Sequence, residues 1–370
     1  MKRLILTLPT ALLLCCAAAM AAPGDGGAGI SYANPDDVSI EDVFFSRFAE
    51  QIYYTDSTIR ARRVGFDPKI DEAHWNKNFA KLTLWGESKE DALATYNAAV
   101  RLFLKTPSAK YADIAERALY NGVLAELDSS RRDSPKWREA AQAVMDAPAT
   151  AYATRGADLW VNLYFRNRSY IKSDSLDLLI LQNTSSPWAG NVFISLKFNS
   201  PNTHMRLHLR LPAWLRGEVT PTGEYAYAKM REFYQVLING RALTLRASAD
   251  GYITIDRVWQ SDDAVRLSMQ TPVRRIRHAG NNPGKKFAIQ EGPILYAYET
   301  RGEQKYFDPK TAFGNSYDNE TLHTNCLVTK VYSSPRKAGE SPWEGSLLPY
   351  YVAFGRNLYK PEIWLNEVEE

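Results

Sequence analysis

Cysteine is scarce in this chain, since its 370 residues include only three. Cys15 and Cys16 lie in an apolar N-terminal segment, so the rest of the sequence has a single thiol, at Cys326. One thiol excludes an intramolecular disulfide and a cysteine-rich metal site in that region. The residues around Cys326 have the pattern of a strand, which predicts a buried structural cysteine; a nucleophilic thiol is the alternative.

A surplus of charge of one sign is also absent. The formal net charge is only +3, which gives no electrostatic reason to expect nucleic acid as a partner. The sequence has no P-loop and no GxSxG nucleophile motif, and no cofactor is predicted. After residue 21 no apolar run reaches the ~18 residues of a membrane-spanning helix. With 45% hydrophobic and 24% charged residues, the composition is typical of a chain with a packed core.

The N-terminus has the pattern of a secretory signal peptide. Two basic residues precede an apolar run over residues 4–18, and the small residues that follow fit the cleavage rule. We therefore predict a signal peptide over residues 1–21, cleavage after Ala21 and a periplasmic or secreted protein. The alternatives are a membrane anchor, for which the run is short, and lipidation of one of the two N-terminal cysteines.

The period of the apolar residues changes along the mature chain. After a Gly- and Ala-rich flexible leader over residues 22–38, apolar residues at helical spacing predict a helical domain over residues 39–150. From residue 151 onward, apolar and polar residues alternate in many short segments that are separated by turn signals. This pattern predicts antiparallel β-sandwich modules over residues 151–370. The expected fold class is therefore α+β and multidomain.

Several segments, in order along the chain, resemble motifs of one known family. The helical part contributes residues 109–124 (AKYADIAERALYNGVL). The β part contributes residues 158–164 (DLWVNLY), 186–192 (SPWAGNV), 209–214 (LRLPAW), 251–259 (GYITIDRVW), 291–296 (EGPILY) and 348–352 (LPYYV). Together they resemble glycoside hydrolase family 127, the β-L-arabinofuranosidase-like proteins. This resemblance implies an (α/α) barrel of six-hairpin type followed by β-sandwich modules.

The resemblance also implies a catalytic centre that this sequence does not reproduce. Active members of the family use a zinc-bound cysteine nucleophile, with two further cysteines and a glutamate as zinc ligands and a separate glutamate as general acid/base. The matching ligand positions hold Ser88, Glu90, Asp133 and Ser134, and the family's nearby asparagine falls at Trp137. The family's zinc–thiolate route is therefore not expected, and no metal site is predicted.

The helical part is shorter than the barrel that the resemblance implies. Twelve helices of ~12–20 residues would need well over 200 residues, and residues 39–150 hold only part of that length. We therefore expect a truncated barrel-like domain that lacks much of the sugar-pocket lining. Its uncovered helix faces would suit a protein partner or a second copy.

Acidic residues of the helical part are the remaining candidates for catalysis, because glycosidase chemistry can run on two carboxyl groups alone. The alternative for each is solvated surface charge. The candidates are Glu72, Glu87, Glu90 and Asp133.

Aromatic and histidine side chains offer two further patterns. Trp75, Trp85 and Trp137 are candidate substrate-binding residues because indole rings stack on sugars, with core packing as the alternative. His204 and His208 are four residues apart in a predicted strand, so they project from one face. A metal pair would need a third ligand, which the sequence does not offer nearby.

The sequence is compatible with three functions. We favour a protein of carbohydrate metabolism that binds an arabinose-containing glycan, or assists a full-length enzyme, without the family's zinc–cysteine catalysis. The alternatives are an active glycosidase that uses carboxylates and a structural subunit that completes a barrel with another chain.

Overall fold

The computed structural model describes residues 29–85, 91–127, 132–229, 233–280, 285–318, 324–335, 341–355 and 359–369. The predicted signal peptide and the two candidates Glu87 and Glu90 lie outside these ranges. Within them, no helix combines the length and the apolar composition needed to cross a membrane.

The longer helices lie before residue 147, in the region predicted to be helical. The α-helices are α1 (Val43–Thr55), α2 (Glu72–Phe79), α3 (Ala92–Lys105), α4 (Ala109–Ala118), α5 (Pro135–Asp146), α6 (Ala213–Arg216) and α7 (Tyr350–Gly355). Each of the first five begins after a residue whose side chain accepts a hydrogen bond from a first-turn N–H, which is the usual way that helix starts are stabilised. These capping residues are Asp42, Asp71, Asp91, Ser108 and Ser134.

α4 does not end as a regular helix. It continues through a π-helical turn, Leu119–Val123, and a 3-10 turn, Leu124–Leu127. Gly122 lies in the π-helical turn, and a Cβ atom there would come within 2.0 Å of Cζ2 of Trp85. Glycine at this position therefore lets the Trp85 ring pack directly on the backbone.

The described strands form three sheets. The first has the order β1 (Ser31–Tyr32), β3 (Tyr152–Arg155), β4 (Asp158–Val161), β8 (Thr203–Arg210) and β12 (Tyr252–Trp259). The second has the order β11 (Arg241–Leu243), β10 (Tyr234–Ile238), β13 (Ala264–Met269), β7 (Asn191–Phe198), β6 (Asp177–Thr184), β5 (Asn167–Lys172) and β2 (Val38–Ile40). Alternate residues of β6 and β7 are buried, as the period of two predicts.

The third sheet follows these two in sequence, apart from β9 (Tyr225–Tyr227). Its other strands are β14 (Arg274–His278), β15 (Lys286–Glu291), β16 (Ile294–Thr300), β17 (Tyr306–Phe307), β18 (Gly314–Asp318), β19 (Thr324–Tyr332), β20 (Trp343–Pro349), β21 (Lys360–Glu362) and β22 (Leu365–Glu367). The order is β21-β16-β20-β19-β17-β22-β15-β14-β9, and β18 pairs with β19. A further pairing of β15 with β16 closes six of these strands into a ring.

Most pairs of the described strands are antiparallel, as predicted, with two exceptions. β4 runs parallel to β8, and β17 runs parallel to β22. The chain is therefore a mixed α+β protein with several sheets. Buried side chains of the helices and of all three sheets belong to one continuous hydrophobic core, which includes Cys326 in β19. The prediction of a buried cysteine is confirmed.

The end of the predicted flexible leader needs correction. Ser31–Tyr32 pairs with β3, and Val38–Ile40 pairs with β5. The Tyr32 hydroxyl also donates to the carbonyl oxygen of Val100 over 2.8 Å. Residues from Ser31 onward therefore belong to the sheets, because short apolar segments there complete two sheet edges.

Candidate functional site

A cleft of about 460 Å³ lies where α4 meets α6 and the turn before β12. Its lining is rich in charged side chains. They are Lys110, Asp113, Glu116 and Arg117 from α4, Arg216 from α6, Glu218 after α6, and Asp250 before β12. Positions 113 and 116 are three residues apart on a helix, so both carboxyl groups project from the same face.

Arg210, the last residue of β8, lies beneath the two α4 carboxyl groups. Its side chain has no solvent exposure. The guanidinium donates through Nε to the carbonyl oxygen of Asn162 over 2.6 Å and through its Nη atoms to Asp113 and Glu116. A buried cation of this kind is stable only when carboxylates and hydrogen bonds compensate it. The two carboxyl groups therefore fix the junction of helix and sheet.

A second guanidinium approaches Asp113 from the cleft. Nη2 of Arg216 is 2.9 Å from Oδ2 of Asp113, and Nε of Arg216 is 3.1 Å from Oε1 of Glu218. Asp113 is therefore held between two arginines, while Glu218, whose side chain is 57% exposed, reaches toward solvent. Donors and acceptors thus alternate along the cleft wall.

Burial changes the ionisation of this network. Burial raises the pKa of Glu116, whereas the charge and hydrogen bonds of Arg210 and the Trp214 indole act in the opposite direction. Burial alone would lower the pKa of Arg210, but the Glu116 and Asp113 carboxylates outweigh it and raise that pKa. The arginine therefore stays charged.

Gly251 allows the β12 end of the cleft to approach α4. Its φ is +83°, in the left-handed region that favours glycine, and a Cβ atom would lie 2.5 Å from Cβ of Ala109 and 2.9 Å from Nη1 of Arg216. The N–H of Ala109 donates to the carbonyl oxygen of Asp250 over 2.7 Å. The turn therefore both satisfies the start of α4 and places Asp250 in the cleft.

Asn121 connects the extension of α4 to the hairpin between β15 and β16. Its amide group donates to the carbonyl oxygen of Pro293 over 2.9 Å and accepts from the N–H of Leu295 over 2.8 Å. Both contacts lie in motifs that resemble the family, and all three residues line the cleft.

Two of the predicted catalytic carboxylates, Glu72 and Asp133, lie within the described residues, and neither lines this cleft. Glu72 lies at the start of α2, where it accepts from the Tyr111 hydroxyl over 2.8 Å and lies 3.6 Å from Nζ of Lys105. Asp133 is exposed ahead of α5. Asp133 is therefore a surface charge, and Glu72 is a partly exposed charge near the surface.

The three candidate tryptophans are placed as packing residues. Trp85 and Trp137 are buried, and Arg117 lies over the Trp85 ring, 4.7 Å from its centroid. Trp75 is half-buried and contacts Phe79, with ring centroids 5.6 Å apart. None of the three lines the cleft.

Sequence reasoning did not single out the residues that form the network. A signal was present, because Asp113 and Glu116 lie in the family-like segment 109–124, and Arg210 lies in segment 209–214. Charged residues inside otherwise apolar motifs indicate a buried polar contact. Their partners, however, are about 100 positions away, so spacing alone could not pair them.

The described residues do not fit the zinc ion of the family. Ser134, at a matching ligand position, caps α5 by accepting a hydrogen bond from the N–H of Trp137 over 3.1 Å. Across the described ranges, no three His, Cys, Asp or Glu side chains come together in a way that could hold a metal ion. We therefore derive no reaction step through zinc.

Comparison with known proteins agrees with the family resemblance of the sequence motifs. Residues 158–271 match the family description "Beta-L-arabinofuranosidase, GH127 middle domain". A solved structure of a GH127 β-arabinofuranosidase is similar with a TM-score of 0.67 and 26% identity, over 75% of this chain and 48% of that one. No protein of curated function matches the sequence.

Two further solved structures share the fold at lower identity. One is a GH127 β-L-arabinofuranosidase from Geobacillus stearothermophilus T6, with a TM-score of 0.59 and 22% identity over 74% of this chain and 49% of that one. The other is a glycoside hydrolase, with a TM-score of 0.60 and 19% identity over 75% and 52%. The chain spans about half the length of these relatives. The resemblance is thereby confirmed: residues 158–271 match the middle domain of glycoside hydrolase family 127, and the fold of the chain is similar to that of a GH127 β-arabinofuranosidase.

Proposed function

We propose that this chain is an exported relative of family 127 that binds an arabinose-containing glycan in the cleft between α4 and α6. In this proposal it does not use the family's zinc–thiolate chemistry. The residues at the matching ligand positions support the second part, because the sequence places serine, glutamate and aspartate where the family has cysteine and glutamate. The apolar segment at residues 4–18 supports export.

The composition of the cleft wall is the observation that supports glycan binding. Sugar hydroxyls both donate and accept hydrogen bonds, so they are matched by walls that offer guanidinium donors beside carboxylate acceptors. Arg216, Asp113 and Glu218 provide such a row, and Trp214 adds an aromatic ring to the lining. The volume of about 460 Å³ is within the range of small-molecule sites, which is about 300–1,000 Å³.

Hydrolysis by carboxylates is the main alternative, and Glu116 is the residue that favours it. A general acid needs a raised pKa, and burial raises that of Glu116. Its oxygens, however, are engaged by the Arg210 guanidinium. We therefore place Glu116 among the groups that fix the cleft.

A hydrolysis assay separates the two functions. The full chain would be incubated with arabinofuranosides and plant arabino-oligosaccharides, and released sugar would be measured by chromatography beside binding by calorimetry. We expect binding without release of arabinose. Release that disappears in Glu116→Gln while the variant stays folded would instead establish a carboxylate glycosidase.

A protein partner is a second candidate function, favoured by exposed apolar side chains in and after α1. Val43 and Tyr54, near the two ends of α1, are 81% and 84% exposed, and Phe66 in the loop that follows is 53% exposed. Light scattering over a range of protein concentrations tests for self-association, and a mass that does not change with concentration would argue against a second copy.

A further inference from the structure

We propose an active site, separate from the cleft and on the outer face of the first sheet, where Thr254, His208 and Asp158 form a hydrogen-bonded relay that hydrolyses carboxylic esters. The three residues come from β12, β8 and β4, which are adjacent strands. Thr254 is the direct cross-strand partner of His208 in the antiparallel pair of β12 and β8.

The relay has the order of a nucleophile, a base and an orienting acid. Oγ1 of Thr254 is 2.9 Å from Nδ1 of His208, and Nε2 of His208 is 2.7 Å from Oδ1 of Asp158. A hydroxyl, an imidazole and a carboxylate joined in this way are the parts that activate serine in hydrolases, and the arrangement is recognised by geometry on any fold.

The two hydrogen bonds define the tautomer of the neutral imidazole. An ionised carboxylate can only accept, so Nε2 of His208 carries the proton and donates it to Asp158. Nδ1 is then an acceptor, and the Thr254 hydroxyl donates to it. This is the arrangement that a general base needs, because the proton of the nucleophile already points at the imidazole.

Asp158 is kept in its ionised, accepting form. Burial acts against ionisation, but hydrogen bonds from Arg206 and His208 outweigh it and lower the pKa of Asp158. Nε and Nη2 of Arg206 donate to the two carboxylate oxygens over 2.7 and 2.6 Å. Asp158 is therefore a positioning residue that orients the imidazole.

The imidazole plane is held by an aromatic neighbour. Trp160, the partner of His208 on the parallel strand β4, stacks on the imidazole with a centroid distance of 4.6 Å and an interplanar angle of 10°. The His208 side chain is 12% exposed, so one edge remains accessible. Stacking and two hydrogen bonds thus leave the ring little freedom to turn.

A substrate can reach the relay from solvent. Thr254 is exposed, and His208, Asp158 and Trp160 line an open groove of about 320 Å³. Arg155, also in the groove, is exposed, and its guanidinium lies over the Trp160 ring at 5.5 Å. Arg155 therefore contributes positive charge to the wall of the groove.

The reaction balances without a metal or a redox partner. Oγ1 of Thr254 attacks the carbonyl carbon while its proton passes to Nδ1 of His208. The tetrahedral intermediate then expels the alcohol, which takes that proton, and leaves an acyl ester on Thr254. Water, deprotonated by His208, attacks this ester, and the carboxylic acid leaves as the Thr254 hydroxyl is restored.

The groove and the cleft share Asp250 in their linings. A chain seated in the cleft could therefore present an acyl group to the relay. We infer that the esters are short acyl groups on sugar hydroxyls; this choice of alcohol rests on the proposed function, whereas ester hydrolysis itself does not.

The test measures hydrolysis of 4-nitrophenyl acetate by the full chain and its variants. Thr254→Val keeps the branched shape and removes the hydroxyl, Thr254→Ser keeps the hydroxyl, and His208→Ala removes the base. His204→Ala is the matched control, because His204 lies on the same strand face and binds a carboxylate, Asp256, over 2.7 Å without a hydroxyl in the relay position. Asp158→Asn tests positioning through the split between kcat and KM.

We expect Thr254→Val and His208→Ala to reduce the rate by about 100-fold, since a positioned general base contributes at least this factor. Thr254→Ser and His204→Ala should retain activity, and intact-mass spectra of the wild type should show an acetylated protein. Asp158→Asn should lower kcat and leave KM unchanged. No turnover by the wild type, or equal rates for Thr254→Val and wild type, would overturn the relay. Arabino-oligosaccharide binding, measured on the same samples, reports separately on the cleft.

Discussion

At the scale of single residues, Arg210 is the group on which the cleft depends. Its side chain is fully buried and its guanidinium reaches two carboxyl groups and one carbonyl oxygen. Removing one partner from such a network is costly because the others are left as uncompensated buried charge.

We predict that Arg210→Met lowers the free energy of unfolding by about 3–5 kcal/mol. The control is Arg168→Met, because Arg168 pairs with Glu41 at 3.7 Å through side chains that are 58% and 41% exposed. An exposed pair contributes about 0–1 kcal/mol. Urea denaturation measures both variants, and equal losses would contradict the assigned importance of the buried network.

Glu291 is a second residue whose environment has a measurable consequence. It is buried at the end of β15, and burial raises its pKa above 4.5 although the Tyr296 hydroxyl donates to it over 3.1 Å. Because the folded protein holds this proton more tightly than the unfolded chain, the group stabilises the fold below about pH 4.5, and that contribution is lost as the pH rises through the folded pKa.

We predict that wild type loses stability relative to Glu291→Gln as the pH is raised from about 4 to 8, since glutamine imitates the protonated side chain at every pH. Chemical denaturation of both proteins at several pH values measures this difference, in which the other titrating groups cancel. A difference that is constant, or that moves in favour of wild type, would rule out the raised pKa.

At the scale of elements, the turn from Asp250 to Gly251 docks α4 against the first sheet. The backbone at Gly251 needs a positive φ and also close approach to Ala109, so two separate costs oppose a side chain there. Gly156 has a φ of +56° but no atom within 4 Å of a built Cβ. A side chain at position 156 would therefore meet only the cost of the left-handed backbone.

We predict that Gly251→Ala destabilises the protein by about 1–2 kcal/mol for the left-handed backbone and by a further ~1–3 kcal/mol for overpacking. Gly156→Ala should show only the first cost. Thermal or chemical unfolding measures both. If the two variants lose the same stability, close packing of this turn on α4 is not significant.

The helices and strands differ in how far the sequence alone predicts them. Apolar residues at helical spacing predicted a helical region over residues 39–150, and α1 to α5 lie within it. In β8 the alternating pattern correctly places Met205, Leu207 and Leu209 in the core. It would expose Arg210, on the opposite face, but α4 covers that end of the strand.

At the scale of the whole molecule, the family and the α+β class could be predicted from motifs and periodicity, and the site could not. The candidate carboxylates lie within the helical segment, whereas the cleft combines α4 with residues 213–221, 248–251 and 290–295, which are far away in sequence. His204 and His208 share a strand face as predicted, but each binds a different aspartate, Asp256 or Asp158. Such pairings depend on strand register, which sequence spacing does not determine.

The central claim is that the cleft binds glycan, and calorimetric titration of the full chain with arabino-oligosaccharides tests it most directly. Glu218→Ala removes an exposed cleft carboxylate, and Glu224→Ala removes a nearby exposed carboxylate outside the lining. We predict saturable binding to wild type and to Glu224→Ala. Affinity for Glu218→Ala should be about tenfold weaker, as expected for a lost charged hydrogen bond. No binding by wild type, or equal affinity in both variants, would contradict a glycan site in this cleft.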